Sequence, residues 1–380
     1  METKSTKYKQ VLFFIVLLGI NVPLIQYFTE FYSVLPLKGA IVEPEKPQLN
    51  LDSLNTGAYQ EKFNKYYNEK FGFRSAFIRF HNQLKYNVFN QAQANGVVVG
   101  KDDYLFELDY IKAYYGQDYV GVQEIENTSR KLKRIQDTLS KLNKTLIIVL
   151  NPGKATFFPE FIPDSRKVEK GTTNLEVYRK YFRRLNINYL DFNAWFLKLK
   201  GHSKYPLYAK GGTHWSKFGE IIAGDSLIKF IEKKSKLDYP NIMIQGVDVK
   251  KENSNGDFDI GECMNLIYPT STYPMAYPKF SLVHRQNSIH RTLFVSDSYY
   301  WGLFNYGFSQ TLFGNGQFWY YNNEVFPENY TKPTHVADLN YKKEILSNDV
   351  IILMSTDANL SRFPFGFIED FYKNFFPNEK

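Results

Sequence analysis

Two short segments hold residue types suited to nucleophilic chemistry. Gly211-Gly212-Thr213-His214-Trp215-Ser216 sets a histidine between a polar turn and an aromatic side chain, just ahead of a helical pattern. A glycine pair reaches backbone conformations closed to other residues, so it can present the following side chain at a loop tip. Val295-Ser296-Asp297-Ser298-Tyr299 follows directly on the apolar run TLFV. Reactive residues of open α/β sheets gather at the carboxyl ends of strands, where backbone N–H groups can face a developing oxyanion. A serine there still needs an adjacent base to become a nucleophile. Each segment also has a plain structural reading: a histidine satisfied by a backbone carbonyl, and Ser298 as a helix N-cap.

Taken together, THWS (213–216) and VSDSY (295–299), in that order, resemble the alginate O-acetyltransferase group of SGNH hydrolase-like proteins, a circular permutation of the usual SGNH order. FNKYYNEKFGFR (63–74), VVVGKDDYLF (97–106), LIIVLNPGKATFFPEFIP (146–163) and DVIILMSTDANL (349–360) extend the resemblance over roughly 60–370. It implies Ser298 as nucleophile and His214 as general base. The Ser298 backbone N–H would be the first oxyanion donor and Asn359 a second. In that family an Asp two residues before the histidine orients the imidazole; here the position is Gly212. Either another carboxylate takes the role or activity is weak or absent. Asp297, Asp357 and Asp102 are the candidates, and a carboxylate from a distant segment is expected at the His214 nitrogen that faces away from Ser298.

The function so implied is O-acetyl transfer to an extracytoplasmic polysaccharide through a serine acyl-enzyme. No acetyl-CoA exists outside the cytoplasm, so the resemblance also implies a membrane-bound O-acyltransferase partner that delivers the acyl group, and no cofactor. Two alternatives stand beside it. One is a non-catalytic glycan-binding or acyltransferase-accessory subunit with a degenerate triad; the other is a carbohydrate esterase. A metal centre fails on ligand count: His214 has no second histidine three or four residues away, and His81, His202, His284, His290 and His335 are scattered.

The elements that would position these residues read as α/β. Strands are expected at GVVV (96–99), YLFEL (104–108), TLIIVL (145–150), INYLDF (187–192), TLFVS (292–296) and VIILM (350–354), the longest apolar throughout, as for strands covered on both faces. Helical spacing marks 122–142, where Ile125, Leu132 and Leu139 fall seven apart, and again 175–185 and 217–233. Helices alternating with apolar strands predict a three-layer SGNH-like sandwich with a mostly parallel central sheet. The segment 235–290 lacks periodicity and reads as an inserted loop region.

Ahead of that domain lie Lys4, Lys7 and Lys9 and then the apolar run 11–28, VLFFIVLLGINVPLIQYF. At 1.5 Å per residue the run reaches roughly 27 Å, near the about 30 Å hydrocarbon core of a bilayer. A cleaved signal peptide is the other reading, but the stretch is long for one and no small-x-small site follows closely. The expected organisation is a cytoplasmic tail (1–10), a signal-anchor helix (11–28), a linker (29–58) and an extracytoplasmic domain (59–380). Lysines before the run, none within it, put the bulk of the chain outside, periplasmic and tethered to the inner membrane by a single pass.

The net charge of +8 falls to +6 once the first ten residues, with three Lys and one Glu, are set aside. The cations are scattered singly, which argues against nucleic acid as a partner. Cys263 is the only cysteine, so no internal disulfide forms. Aromatic residues make up 17% of the chain, enough for both a core and ring-stacking surfaces suited to sugars.

Overall fold

The structure is a computed structural model that describes residues 2–39, 44–251, 256–283 and 289–378; His284 lies outside them. The chain forms two compact units, one of 1–95 with 261–269, the other of 96–260 with 270–380. The helices Ala58–Lys70 and Arg74–Phe89 group with the N-terminal segment.

In the larger unit, β1 (Val97–Val99) and β2 (Leu105–Glu107) form a short antiparallel pair. The central sheet draws on β3 (Thr145–Asn151) and β4 (Tyr189–Asp191). After a long antiparallel hairpin of β5 (Asn241–Lys250) and β6 (Met275–Val283), it is completed by β7 (Thr292–Ser296), β8 (Phe318–Tyr320), β9 (Glu324–Phe326) and β10 (Val350–Thr356). Its order is β4-β3-β10-β7-β8-β9, parallel except at β8–β9. The hairpin corrects the reading of 235–290 as loop. Its strands are half-exposed, so they carry little of the alternation that marks a strand in sequence.

The apolar run of β3 is explained by the layers. Ile147 and Val149 enter one core, with Phe196, Tyr208, Trp215 and the helix Lys217–Ser235. Leu146, Ile148 and Leu150 enter the other, beneath the helices Val122–Lys141, Asn174–Arg184 and Phe367–Phe375. Burying each such side chain is worth roughly 1.5–3 kcal/mol. The unit is thus an SGNH-like α/β sandwich with a mixed, mostly parallel sheet. In the smaller unit, Thr6–Thr29 is, among the described residues, the one helix long and apolar enough to cross a membrane.

Candidate active site

Ser298 follows the end of β7, beside β10 at the middle of the sheet. It is half-buried between fully buried neighbours, Asp297 and Tyr299. The helix begins after it, at Tyr300, and runs only to Asn305, so Ser298 is not the N-cap.

His214 comes from the loop ahead of the helix Lys217–Ser235. That helix starts firmly: the Ser216 hydroxyl accepts from the Gly219 N–H at 3.0 Å and donates to the Pro206 carbonyl at 2.7 Å. Thr213, just before the histidine, donates its hydroxyl to Glu107 at 2.7 Å. The Tyr299 hydroxyl donates to the Thr213 carbonyl at 3.2 Å, and its ring lies 5.0 Å from the imidazole. Tyr299 thus ties the histidine loop to the residue next to the serine.

The two side chains meet. His214 Nε2 lies 2.9 Å from Ser298 Oγ, and His214 Nδ1 lies 2.8 Å from Asp259 Oδ2. Asp259 Oδ1 accepts the backbone N–H groups of Thr213 and Ile260, each at 2.8 Å. One carboxylate oxygen therefore grips the backbone beside the histidine while the other fixes its ring, leaving Nε2 as the acceptor toward serine.

The orienting carboxylate is thus Asp259, which sequence reading missed, and none of the three expected residues. Asp297 is turned into the sheet. Its carboxylate accepts from Thr356 N at 2.8 Å, Thr356 Oγ1 at 3.0 Å, Asn359 Nδ2 at 2.9 Å and Tyr299 N at 3.2 Å. Asp357 is buried against Thr156 and Asn193, with Thr156 Oγ1 donating at 2.5 Å. Asp102 sits in the turn Lys101–Asp103, where its backbone carbonyl accepts from Lys210. Asn359 is also otherwise engaged. Its amide N–H groups go to Asp297 and Thr356 Oγ1, and its oxygen accepts from Arg362, so it presents no free donor to Ser298. The Ser298 backbone N–H makes no hydrogen bond within the described residues.

Gly211 and Gly212 explain how Asp259 arrives. A Cβ on Gly211 would lie 2.1 Å from the Phe258 ring, and one on Gly212 would lie 3.0 Å from the carbonyl oxygens of Gly256 and Asp257. The pair therefore makes room for the strand of chain that carries Asp259, rather than a loop-tip conformation. The signal in the sequence was faint: an Asp-Phe-Asp between Gly256 and Gly261, far along the chain from the histidine.

Electrostatics suit a base. Burial alone pulls the His214 imidazole down, but the hydrogen bond and charge of Asp259, with Glu107 and Glu220 beyond, outweigh it and leave its pKa above the usual histidine value. Burial pushes Asp259 up; the His214 bond and charge and the two backbone N–H groups outweigh that and hold it below the carboxylate range. Nearby, Lys154 is fully buried and donates to the carbonyls of Lys210 at 2.7 Å and Gly212 at 2.6 Å, clamping the approach to the histidine. Burial lowers its pKa to about 7, against the opposing pull of Asp259 and Glu107. Among the described residues no group of three or more His, Cys, Asp or Glu side chains is placed to hold a metal ion.

A serine–histidine–aspartate array at the carboxyl edge of this sheet has the hydrogen-bond geometry that can activate a serine hydroxyl as a nucleophile. The family model described as the SGNH hydrolase-like domain of acetyltransferase AlgX matches residues 97–284, a stretch that holds His214 and Asp259 and stops short of Ser298. The chain carries an SGNH hydrolase-like domain similar to that of the alginate O-acetyltransferases. It is 22% identical over 155 residues to the probable alginate O-acetylase AlgJ of Pseudomonas putida, covering 41% of this chain and 38% of that protein. To the AlgJ of Pseudomonas aeruginosa it is 23% identical over 210 residues, covering 55% and 50%. The chain thus spans half or less of the length of these relatives. Among solved structures it is similar to the O-acetyltransferase domain of Pseudomonas putida AlgJ, with TM-score 0.47 and 17% identity over 70% of this chain and 92% of that one.

Proposed function

We propose that the chain is an O-acetyltransferase of an extracytoplasmic polysaccharide that works through an acetyl ester on Ser298. The observation that carries the reading is the continuous run Ser298 Oγ–His214–Asp259, with contacts of 2.9 and 2.8 Å. His214 Nε2 takes the Ser298 proton as Oγ attacks the carbonyl carbon of the acyl donor. The Ser298 backbone N–H stabilises the oxyanion. Collapse expels the leaving group, which takes the proton back from His214, and leaves acetyl-Ser298. A sugar hydroxyl then gives its proton to His214 and attacks the ester, which restores Ser298 Oγ–H and yields the O-acetyl glycan. Proton transfer of this kind contributes about 10²–10⁴-fold.

The helix Glu2–Thr29 serves as a single-pass anchor, with the larger unit on the periplasmic side and the acyl group handed over by a multi-pass membrane O-acyltransferase. The accessory-subunit alternative rested on Gly212, and Asp259 beside His214 weighs against it. An esterase differs only in admitting water where the sugar hydroxyl binds. A fluorophosphonate probe tests the reading: labelling of the wild-type chain and its loss in Ser298→Ala are expected, whereas equal labelling of the variant overturns it.

A further inference from the structure

The helix Arg74–Phe89 is inside out. At 3.6 residues per turn, Phe77, Phe80, Leu84 and Val88 fall on one stripe, and Arg79, Asn82 and Gln83 on the opposite face. The apolar stripe is the exposed one, each of its four side chains between 48% and 63% accessible, whereas Asn82 and Gln83 are 5% and 9% accessible. The polar face finds partners within the same unit. Asn82 donates to the Met264 carbonyl at 2.8 Å, Gln83 accepts from the N–H groups of Ile267 and Tyr268, and Arg79 donates to the carbonyls of Leu266 and Pro36. A helix facing water would show the reverse pattern.

What lies at the start of this helix identifies the apolar medium. A Cβ on Gly72 would fall 2.2 Å from the Pro23 carbonyl oxygen and 2.8 Å from the Tyr27 nitrogen, so the turn into the helix rests against the last turns of the apolar helix Glu2–Thr29. Phe31, just past that helix, meets Phe73 edge-on at 5.8 Å. The neighbouring helix Ala58–Lys70 exposes Phe63 and Tyr67, stacked at 6.4 Å, and tyrosine is a residue that collects at headgroup level.

We propose that the helix Arg74–Phe89 lies on the bilayer surface at the C-terminal end of the anchor, with Phe77, Phe80, Leu84 and Val88 sunk at the headgroup–acyl boundary. Lipid is the occupant because the stripe carries no charge and is continuous with a segment suited to the bilayer. The inference rests on the reading of Glu2–Thr29 as a membrane span.

The test uses the full chain, with Cys263→Ser, in vesicles of phosphatidylethanolamine and phosphatidylglycerol that hold no other protein. Single cysteines replacing Phe80, Leu84, Leu17 or Lys141 carry an environment-sensitive fluorophore, and quenching by doxyl lipid is compared with quenching by aqueous iodide. Probes at Phe80 and Leu84 are expected to lose about half their emission to doxyl lipid and little to iodide, with the reverse at Lys141. Quenching of both stripe probes by iodide alone overturns the proposal, as does shielding from both quenchers, the mark of a protein contact. Lipid quenching at Leu17 with none at Phe80 sinks the stripe and spares the anchor. No lipid quenching at Leu17 sinks the anchor itself.

Discussion

Gly212 and Asp257 approach so closely that a Cβ on the glycine would sit 3.0 Å from the Asp257 carbonyl oxygen. Where the resemblance implies a carboxylate, two residues before the histidine, this chain has a glycine, and the segment pressed against that glycine supplies a carboxylate at Asp259, 2.8 Å from His214 Nδ1.

Asp259→Asn should therefore behave as the loss of a triad acid. Neutralising the equivalent residue in serine proteases costs about 10⁴ in turnover, and a fall of about 10³–10⁴ in fluorophosphonate labelling rate is expected here. Asp102→Asn should label at the wild-type rate. Comparable labelling by wild type and Asp259→Asn would remove Asp259 from the mechanism.

Gly212→Asp should not restore that variant. Its side chain would press on two carbonyl oxygens, at a cost of about 1–3 kcal/mol seen in a lowered denaturant midpoint. Recovery of labelling in the Gly212→Asp, Asp259→Asn double variant would show that position 212 can still serve.

The pH profile follows from the raised His214 pKa. The base must be neutral to act, so labelling should fall as pH drops through a midpoint above about 6.5, the ordinary histidine value. Removing the Asp259 charge leaves burial as the leading influence, which favours the neutral ring. The residual activity of Asp259→Asn should therefore show a lower midpoint. An unchanged midpoint would mean that the limb reports another group.

Lys154→Met leaves the carbonyls of Lys210 and Gly212 without their ammonium donor. The Lys210 carbonyl keeps the Leu105 N–H at 2.9 Å, whereas the Gly212 carbonyl is left unmet. An unmet buried acceptor costs about 1–3 kcal/mol, so a lower urea midpoint is expected, together with slower labelling because those carbonyls lead into His214. Wild-type labelling would show that the clamp does not position the histidine.

How much of this was legible depended on how local each signal is. β3, β7 and β10 announce themselves as apolar runs because both faces are covered, and Ser298 and His214 stand in compact motifs at the edges of such elements. Asp259 left no comparable trace. It is reached through a half-exposed hairpin whose strands lack clean alternation, and only folding brings it across from His214. Asp297 misled by adjacency: next to Ser298 in sequence, its carboxylate points the other way, to Thr356 on β10. Asn359 lies in the 3-10 helix Asp357–Arg362 that follows β10, and its amide is spent on Asp297 and Thr356. In the helix Arg74–Phe89 the apolar stripe is exposed and Asn82 and Gln83 are covered, and which face is covered is a tertiary fact.

The central claim, that Ser298 carries the acyl group, is tested most directly by mapping the covalent intermediate. The wild-type chain, mixed with an activated acetyl ester and quenched in acid within the first turnover, should yield one acetylated peptide with the acetyl on Ser298. The same treatment of His214→Ala should yield none. An acetyl group found on another residue, or on Ser298 to the same extent without His214, would contradict the account.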